Sequence, residues 1–258
     1  MSHYIKKWIV MGCLFLAPYV VHAADANDPD WQFDFAPYLW ALGMDGTVQS
    51  GPFTSHISES FSDLLKQLDG GGMLWLDAYK GPFGIFLNGL YADLSDNDNI
   101  RSFDAQLSTH FGLFTGGFSY IVDQKEIPGK VPSRVQIEPY IGARYTVNTA
   151  KLTLGDFTDN EDQDWTDPIV GLRIRDDIGV HWVITLAGDI GGINAAKQYS
   201  YNLNALLGYK PTNKSFNHTT VYLGYRYLYQ HYEHGEGSDF FEWRMKLFGP
   251  TLGIDFNF

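Results

Sequence analysis

Cysteine is almost missing from this 258-residue chain, in which Cys13 stands alone. A disulfide framework is thereby excluded, and so is a thiol nucleophile once the chain is processed beyond that position. "VMGC" around it faintly resembles a lipidation box, but Met11 fits poorly there and much of the apolar run follows the cysteine. Long apolar runs are missing as well. Beyond the leader, no stretch approaches the roughly 20 apolar residues that a membrane-spanning helix needs. Basic residues are scarce, with 18 Lys and Arg against 30 Asp and Glu. That balance excludes a nucleic-acid surface, which would have to be basic.

The first residues carry a targeting signal. Lys6 and Lys7 form a basic n-region, "WIVMGCLFLAPYVV" from Trp8 to Val21 forms an apolar h-region, and "VHA" ending at Ala23 offers a small-residue cleavage site. The expected organisation is a signal peptide over 1–23 and one domain over 24–258. Aromatic residues reach 16% and glycine 27 positions, while mean hydropathy is only −0.19. Apolar residues spread along alternate positions produce such numbers.

Period-two alternation recurs from Trp31 to the end. In "RVQIEPYIGARYTVN", Val135, Ile137, Ile141 and Tyr145 share one face and Gln136, Glu138 and Arg144 the other. "VHWVITLAGDI" and "TTVYLGYRYLYQ" repeat the pattern. A soluble sandwich would alternate too, but would solvate its polar faces with long charged side chains. Here those faces are rich in Gly, Ser, Thr and Asn, as a narrow wet lumen would require, and Tyr and Trp gather towards strand ends as an interfacial girdle would. The reading is an all-β, antiparallel transmembrane β-barrel of about ten strands, with twelve as the alternative. The strands are expected near 31–49, 70–80, 83–94, 101–122, 134–154, 165–177, 180–192, 197–210, 217–233 and 238–258. A short helix is expected near 60–68, capped by Ser60 or Ser62, within an excursion over 52–68. The apolar set changes parity near Phe248–Gly249–Pro250, which reads as a β-bulge. The chain ends on "GPTLGIDFNF", an amphipathic strand with Phe256 and Phe258 as an aromatic assembly signal.

"APYLWALGMDGTV", "SFSDLL", "DWTDPIVGLR", "GDIGG", "GYRYL" and the terminal strand together resemble a widespread, poorly characterised family of Gram-negative outer-membrane β-barrel proteins, in the small OmpA/OmpW-like barrel class. The likeness runs through nearly the whole mature chain. It implies fold and outer-membrane location, recognition of the last strand by the barrel assembly machinery, and no shared activity.

Chemistry-bearing residues fall into three groups. Arg144, Arg173 and Arg226 each follow a glycine by two residues on a polar face, with Asp77, Glu138, Asp189, Glu242 and Asp255 as candidate partners for a lumen charge network. That network would fill the bore, or select solutes by sign. Ser108 and His110 share a face with Asp104 and Gln106 and have the spacing of a nucleophile and its base. Two acidic or His-rich loops offer oxygen and imidazole ligands: His231, Glu233, His234, Glu236 and Asp239 in one, and Asp156, Asp159, Glu161, Asp162, Asp164 and Asp167 in the other. Neither has fixed metal-ligand spacing. No metal or cofactor is expected.

The functional expectation is a passive outer-membrane protein, a narrow pore or a structural wall protein, monomeric and surrounded by outer-membrane lipid and lipopolysaccharide. A lipid acyl hydrolase using Ser108 and His110, or a surface-loop binding protein, is the alternative.

Overall fold

The computed structural model describes residues 25–258 apart from 101–102, 155–156, 195, 213–215 and 217, with the backbone alone for 96–100, 103–108, 150–154 and 157–161. The expected signal peptide, 1–23, lies outside the described residues. In chain order the elements are β1 (Trp31–Trp40), β2 (Gly43–Ser50), β3 (Phe53–Glu59), α1 (Phe61–Gln67), β4 (Leu68–Lys80), β5 (Phe83–Ile100), β6 (Phe103–Tyr120), β7 (Asp123–Ile127), β8 (Ser133–Leu154), β9 (Phe157–Ile178), β10 (Trp182–Asn194), β11 (Gln198–Tyr209), β12 (Thr219–His234) and β13 (Phe241–Asn257).

Ten of these strands close a barrel. Antiparallel neighbours run β1-β4-β5-β6-β8-β9-β10-β11-β12-β13, and β13 pairs back onto β1 through Phe35↔Phe256 and Leu39↔Leu252. Phe258 is tied by two backbone hydrogen bonds to Phe33, 2.8 and 3.0 Å. The aromatic ending is therefore the seam of the wall, because an open edge cannot be satisfied in lipid.

Outward positions carry the membrane surface. Ile141 is 61% exposed, Leu172 43% and Tyr225 50%, although all three are apolar or aromatic. Trp31, Phe83, Tyr120, Trp182 and Tyr209 ring the terminus end of this belt, and Tyr91, Tyr145, Tyr201 and Tyr225 lie towards the other. Two aromatic girdles flanking an apolar band mark a bilayer's two interfaces. No described helix is long and apolar enough to cross a membrane; the strands do so. Connections at the terminus end include two tight turns, at Gly81–Pro82 and at 179–181, which is the periplasmic habit of such barrels.

The other end projects well past the belt. β8 and β9 have 22 residues each, roughly 70 Å of strand at ~3.3 Å per residue, against an apolar band about 25 Å tall. The loops expected at 95–100 and 155–164 are largely strand. "LSDNDNI" pairs with β6 and "DNEDQD" with β8, against their intrinsic propensity, because each extends a ladder already in register.

In β13 the structure departs from the expected bulge. Its register against β12 is unbroken from Phe241 to Phe256, and odd-numbered residues face inward throughout. The chemistry changes instead of the geometry. Below Gly249 the inward residues are Thr251, Asp255 and Asn257; above it they are Trp243, Met245 and Leu247, all buried. The outward set changes oppositely, from Ile254 and Leu252 to Lys246 and Arg244. Inside the bilayer the outer face must be apolar, whereas beyond it the outer face meets water and the inner face forms a core. One strand with constant parity therefore shows two opposite patterns.

At the same height β13 exchanges partners, from β1 at Trp40↔Thr251 to β2 at Phe248↔Gly43. A Cβ on Gly249 would overlap the Ala41 carbonyl oxygen, so the crossing is built on backbone contact. The segment 52–59 joins the sheet through β2 without closing onto β4, which keeps the barrel at ten staves. Ser60 occupies the α1 N-cap, but its hydroxyl bonds Asp63 and Ser62 rather than a backbone N–H. Leu64 packs against buried apolar residues inside the barrel, while Leu65 and Leu68 are exposed.

Candidate functional site

The lumen is layered. Inward parity on each strand delivers one side chain per stave at each level, and the chemistry of successive levels differs.

At the terminus end, Arg134 meets Asp25 at 3.5 Å and Asp177 at 3.6 Å, and Lys210 meets Asp177 at 2.7 Å. One level in, Arg173 donates to the Tyr79 hydroxyl (2.6 Å), Glu138 (3.4 Å) and Asp77 (3.5 Å), and lies over the Trp75 ring. The Tyr79 hydroxyl in turn donates to Glu138 at 3.0 Å.

Near mid-barrel, Arg144 meets Asp189 at 2.5 Å, with side chains 1% and 3% exposed. Asp189 also accepts from Tyr140 (3.1 Å) and Asn202 (2.9 Å), and Arg144 donates to Ser200 (3.2 Å). Arg226 donates to Asn202 (3.0 Å), Asn88 (3.1 Å) and Tyr38 (3.3 Å), and lies over Trp40 at 4.7 Å. Gly171 makes this layer possible, since a Cβ there would overlap the Tyr140 ring.

Above the arginines the lumen is mainly apolar, with one buried polar pair in which Gln230 donates to Thr146 at 2.8 Å. Trp40, Leu90, Leu113, Leu228, Met245 and Leu247 are wholly inaccessible, and Trp165 stacks on Tyr232 with Trp243 against it. These residues pack together as one buried cluster.

Of the residues singled out from sequence, Arg144, Arg173, Arg226, Asp77, Glu138 and Asp189 meet in these two polar layers. Asp255 faces inward as well, lower down, where it shares the Asn257 amide with Asp34. Glu242 does not belong to the lumen. It lies on the outer parity of β13 with Arg244, to which it is bonded, and with His231 at 3.3 Å. Its height explains the difference, since polar residues face outward beyond the bilayer. The network also includes Asp34, Arg175, Tyr79, Tyr140, Asn88 and Asn202, which the sequence reading passed over. Parity was the available signal: Arg175 follows Arg173 by two, and Asp34 lies in an inward-facing alternation with Ala36 and Tyr38.

His231, Glu233 and Glu242 bring one potential ligand atom each within 4.8 Å of one another. Arg244 already holds Glu242 there. His234, Glu236 and Asp239 are exposed and outside this group. In the other acidic segment, Asp167 is buried and accepts from Gln198, while Asp162 and Asp164 are exposed; the side chains of Asp156, Asp159 and Glu161 lie outside the described residues. His110 faces outward rather than into the lumen. Its Nδ1 lies 2.5 Å from Asp93 across the β5–β6 ladder. The Tyr91 hydroxyl and then His110 hold the Asp93 carboxyl below the usual carboxylate range. The side chains of Ser108, Asp104 and Gln106 lie outside the described residues.

No family model and no curated protein matches the chain. Among solved structures it is similar to Ail, the attachment invasion locus protein of Yersinia pestis, at 12% identity over 88% of this chain and 98% of that one, with a TM-score of 0.37. It is similar to the P. putida toluene transporter TodX at 10% identity over 90% and 91%, TM-score 0.30, and to Neisserial surface protein A at 13% over 88% and 97%, TM-score 0.28. Superpositions this loose carry no function across. The architecture rests on the chain's own register: ten antiparallel staves close on themselves, and the outer face is an apolar band between aromatic girdles. The protein is an outer-membrane β-barrel.

Proposed function

We propose that the protein is a passive, non-conducting member of the outer-membrane wall, a closed barrel rather than a pore. One observation carries this reading: Trp40, Leu90, Leu113, Leu228, Met245 and Leu247, all wholly buried, pack as one cluster inside the barrel above the Arg144 and Arg226 layer. A hydrated solute moving along the axis would have to cross a buried ion-pair level and then a mainly apolar one. Ten strands also enclose far less space than the roughly 16 of a water-filled porin. Closure leaves no membrane-level edge between first and last strands, which supports a monomer bounded by lipid and lipopolysaccharide. The Phe33–Phe258 seam supports delivery by the barrel assembly machinery. Liposome swelling tests the reading. Vesicles containing the protein should shrink and stay shrunken in small sugars, as empty vesicles do; recovery of volume would make it a pore.

A lipid acyl hydrolase is the second reading, favoured by the His110–Asp93 bond on the outer wall above the girdle. That pair would be a base and its orienting carboxylate, with Ser108 as nucleophile. Release of fatty acid from lipopolysaccharide by the purified protein, abolished in Ser108→Ala, would establish it; no release would remove it.

A further inference from the structure

Three carboxylates face the lumen from adjacent strands below the Arg144 and Arg226 layer. Asp77 on β4 stands directly opposite Asp34 on β1, and Asp255 on β13 lies two residues from Asn257, which is opposite Asp34 on the other side. Like charges set across a ladder repel each other, and a carboxylate removed from water needs a partner. Asp77 has Arg173 and the Trp75 indole. Asp34 and Asp255 form no ion pair among the described residues and share one amide, that of Asn257. Oδ1 of Asp255, a residue only 5% exposed, has no hydrogen-bond partner among the described residues.

These groups border a cavity of about 130 Å³. Two further oxygens on its wall have no partner among the described residues, the hydroxyl of Thr251, itself 6% exposed, and Oδ1 of Asn204. Of the guanidinium groups on the wall, Arg173 is engaged with Tyr79 and Glu138 and Arg226 with Asn88 and Asn202. Arg175 meets Asp177 at 3.4 Å, but its Nε has no hydrogen-bond partner among the described residues and its charge also acts on Asp34 and Asp255. The wall carries four carboxylates, Asp34, Asp77, Glu138 and Asp255, against the guanidinium groups of Arg173, Arg175 and Arg226, a formal excess of negative charge, and its unpartnered oxygens outnumber its one unpartnered donor. Tyr38, Trp75 and Tyr222 supply aromatic surface beside them.

We propose that this cavity binds the ammonium group of a small amine, with Asp34 and Asp255 as its counter-charges and the Thr251 and Asn204 oxygens receiving its hydrogens. An ammonium offers three donors and no acceptor, the complement of this wall, and aromatic faces add to its binding. A bare metal ion suits the site less, because among the described residues only His231, Glu233 and Glu242 bring three ligand atoms to coordination spacing. The inference goes beyond a passive wall: the apolar core above makes the cavity a dead end, so the amine would be held rather than passed.

Isothermal titration of the purified, folded barrel tests it, with ethanolamine as the amine probe and acetate and Mg²⁺ as controls. Saturable binding of ethanolamine, absent with acetate, is expected. Asp34→Asn and Asp255→Asn should each weaken it at least tenfold, while Glu242→Gln, on the outer face, should bind as the parent does. Folding is checked by heat-modifiable migration. If an Asp variant does not fold, Thr251→Val, which removes one hydroxyl, should still weaken binding several-fold. No saturable heat would mean that the cavity holds water only and would overturn the assignment. So would undiminished binding in the folded variants, or Mg²⁺ saturating the site in place of the amine. A conducting barrel would refute the closed lumen without touching this result, because conductance is read separately.

Discussion

Arg144 and Asp189 are joined at 2.5 Å across the lumen, on strands that are not neighbours, with both side chains almost wholly buried. Tyr140, Ser200 and Asn202 occupy the hydrogen-bonding positions around them. The pair acts as a strut between β8 and β10, and it separates the polar half of the bore from the apolar half.

Removing one end of the strut strands the other. Arg144→Ala should destabilise the barrel by about 3–5 kcal/mol, the usual cost of leaving a buried charge unpaired. The double variant Arg144→Leu with Asp189→Leu should recover part of that loss. Urea unfolding in detergent, followed by heat-modifiable migration, measures both. Equal stability of Arg144→Ala and parent would show that the pair is solvated and the lumen wet at this level.

Constant parity through Phe248–Gly249–Pro250 makes a labelling prediction. The mature chain has no cysteine if cleavage follows Ala23, so single cysteines report cleanly. On intact cells a membrane-impermeant maleimide should label Arg244→Cys and Lys246→Cys, which face water outside. It should spare Met245→Cys, in the core, and Leu252→Cys, in lipid. Labelling of position 245 with protection of 244 would restore the bulge.

Gly249→Ala should cut the yield of folded barrel severalfold, because a methyl group there collides with the Ala41 backbone where β13 changes partner. Gly237→Ala is the control, a loop glycine with open space around it, though its φ of +64° carries a modest strain. Equal yields for parent and Gly249→Ala would show that the crossing relaxes freely.

Deleting Phe258 removes both backbone bonds to Phe33 and the terminal aromatic. Assembled protein in the outer membrane should fall, with degraded or periplasmic material rising; unchanged heat-modifiable protein would mean that the seam closes without it.

Much of the barrel could be read from period two alone. Ile141, Leu172 and Tyr225 point outward as their alternation requires, and the arginines between them point inward. Alternation assigns a residue to a face, however, and does not say whether that face meets lipid or water. That depends on height above the bilayer, which no local pattern encodes. Alternation alone therefore puts Trp243, Met245 and Leu247 on the outer face and Glu242 on the inner one. Strand pairing through "DNEDQD" was hidden for a related reason: its propensity argues for a loop, and only the partner strand β8 overrides it. Asp34 and Arg175 had the correct parity but lacked the glycine spacing that drew attention to Arg144, Arg173 and Arg226.

The sequence leads to the expectation that the network of Arg144, Arg173 and Arg226 partly occludes the bore. In the structure Trp40, Leu228 and Leu247 lie beyond Arg226, so shortening that side chain widens a cavity without opening a path. Single-channel recording in planar bilayers, on the parent and on Arg226→Ala side by side, tests the sealed lumen most directly. Both should insert without conductance steps, Arg226→Ala being less stable but equally silent. Discrete, reproducible openings in the parent would contradict the account, because they require a continuous water column where the structure has a mainly apolar core.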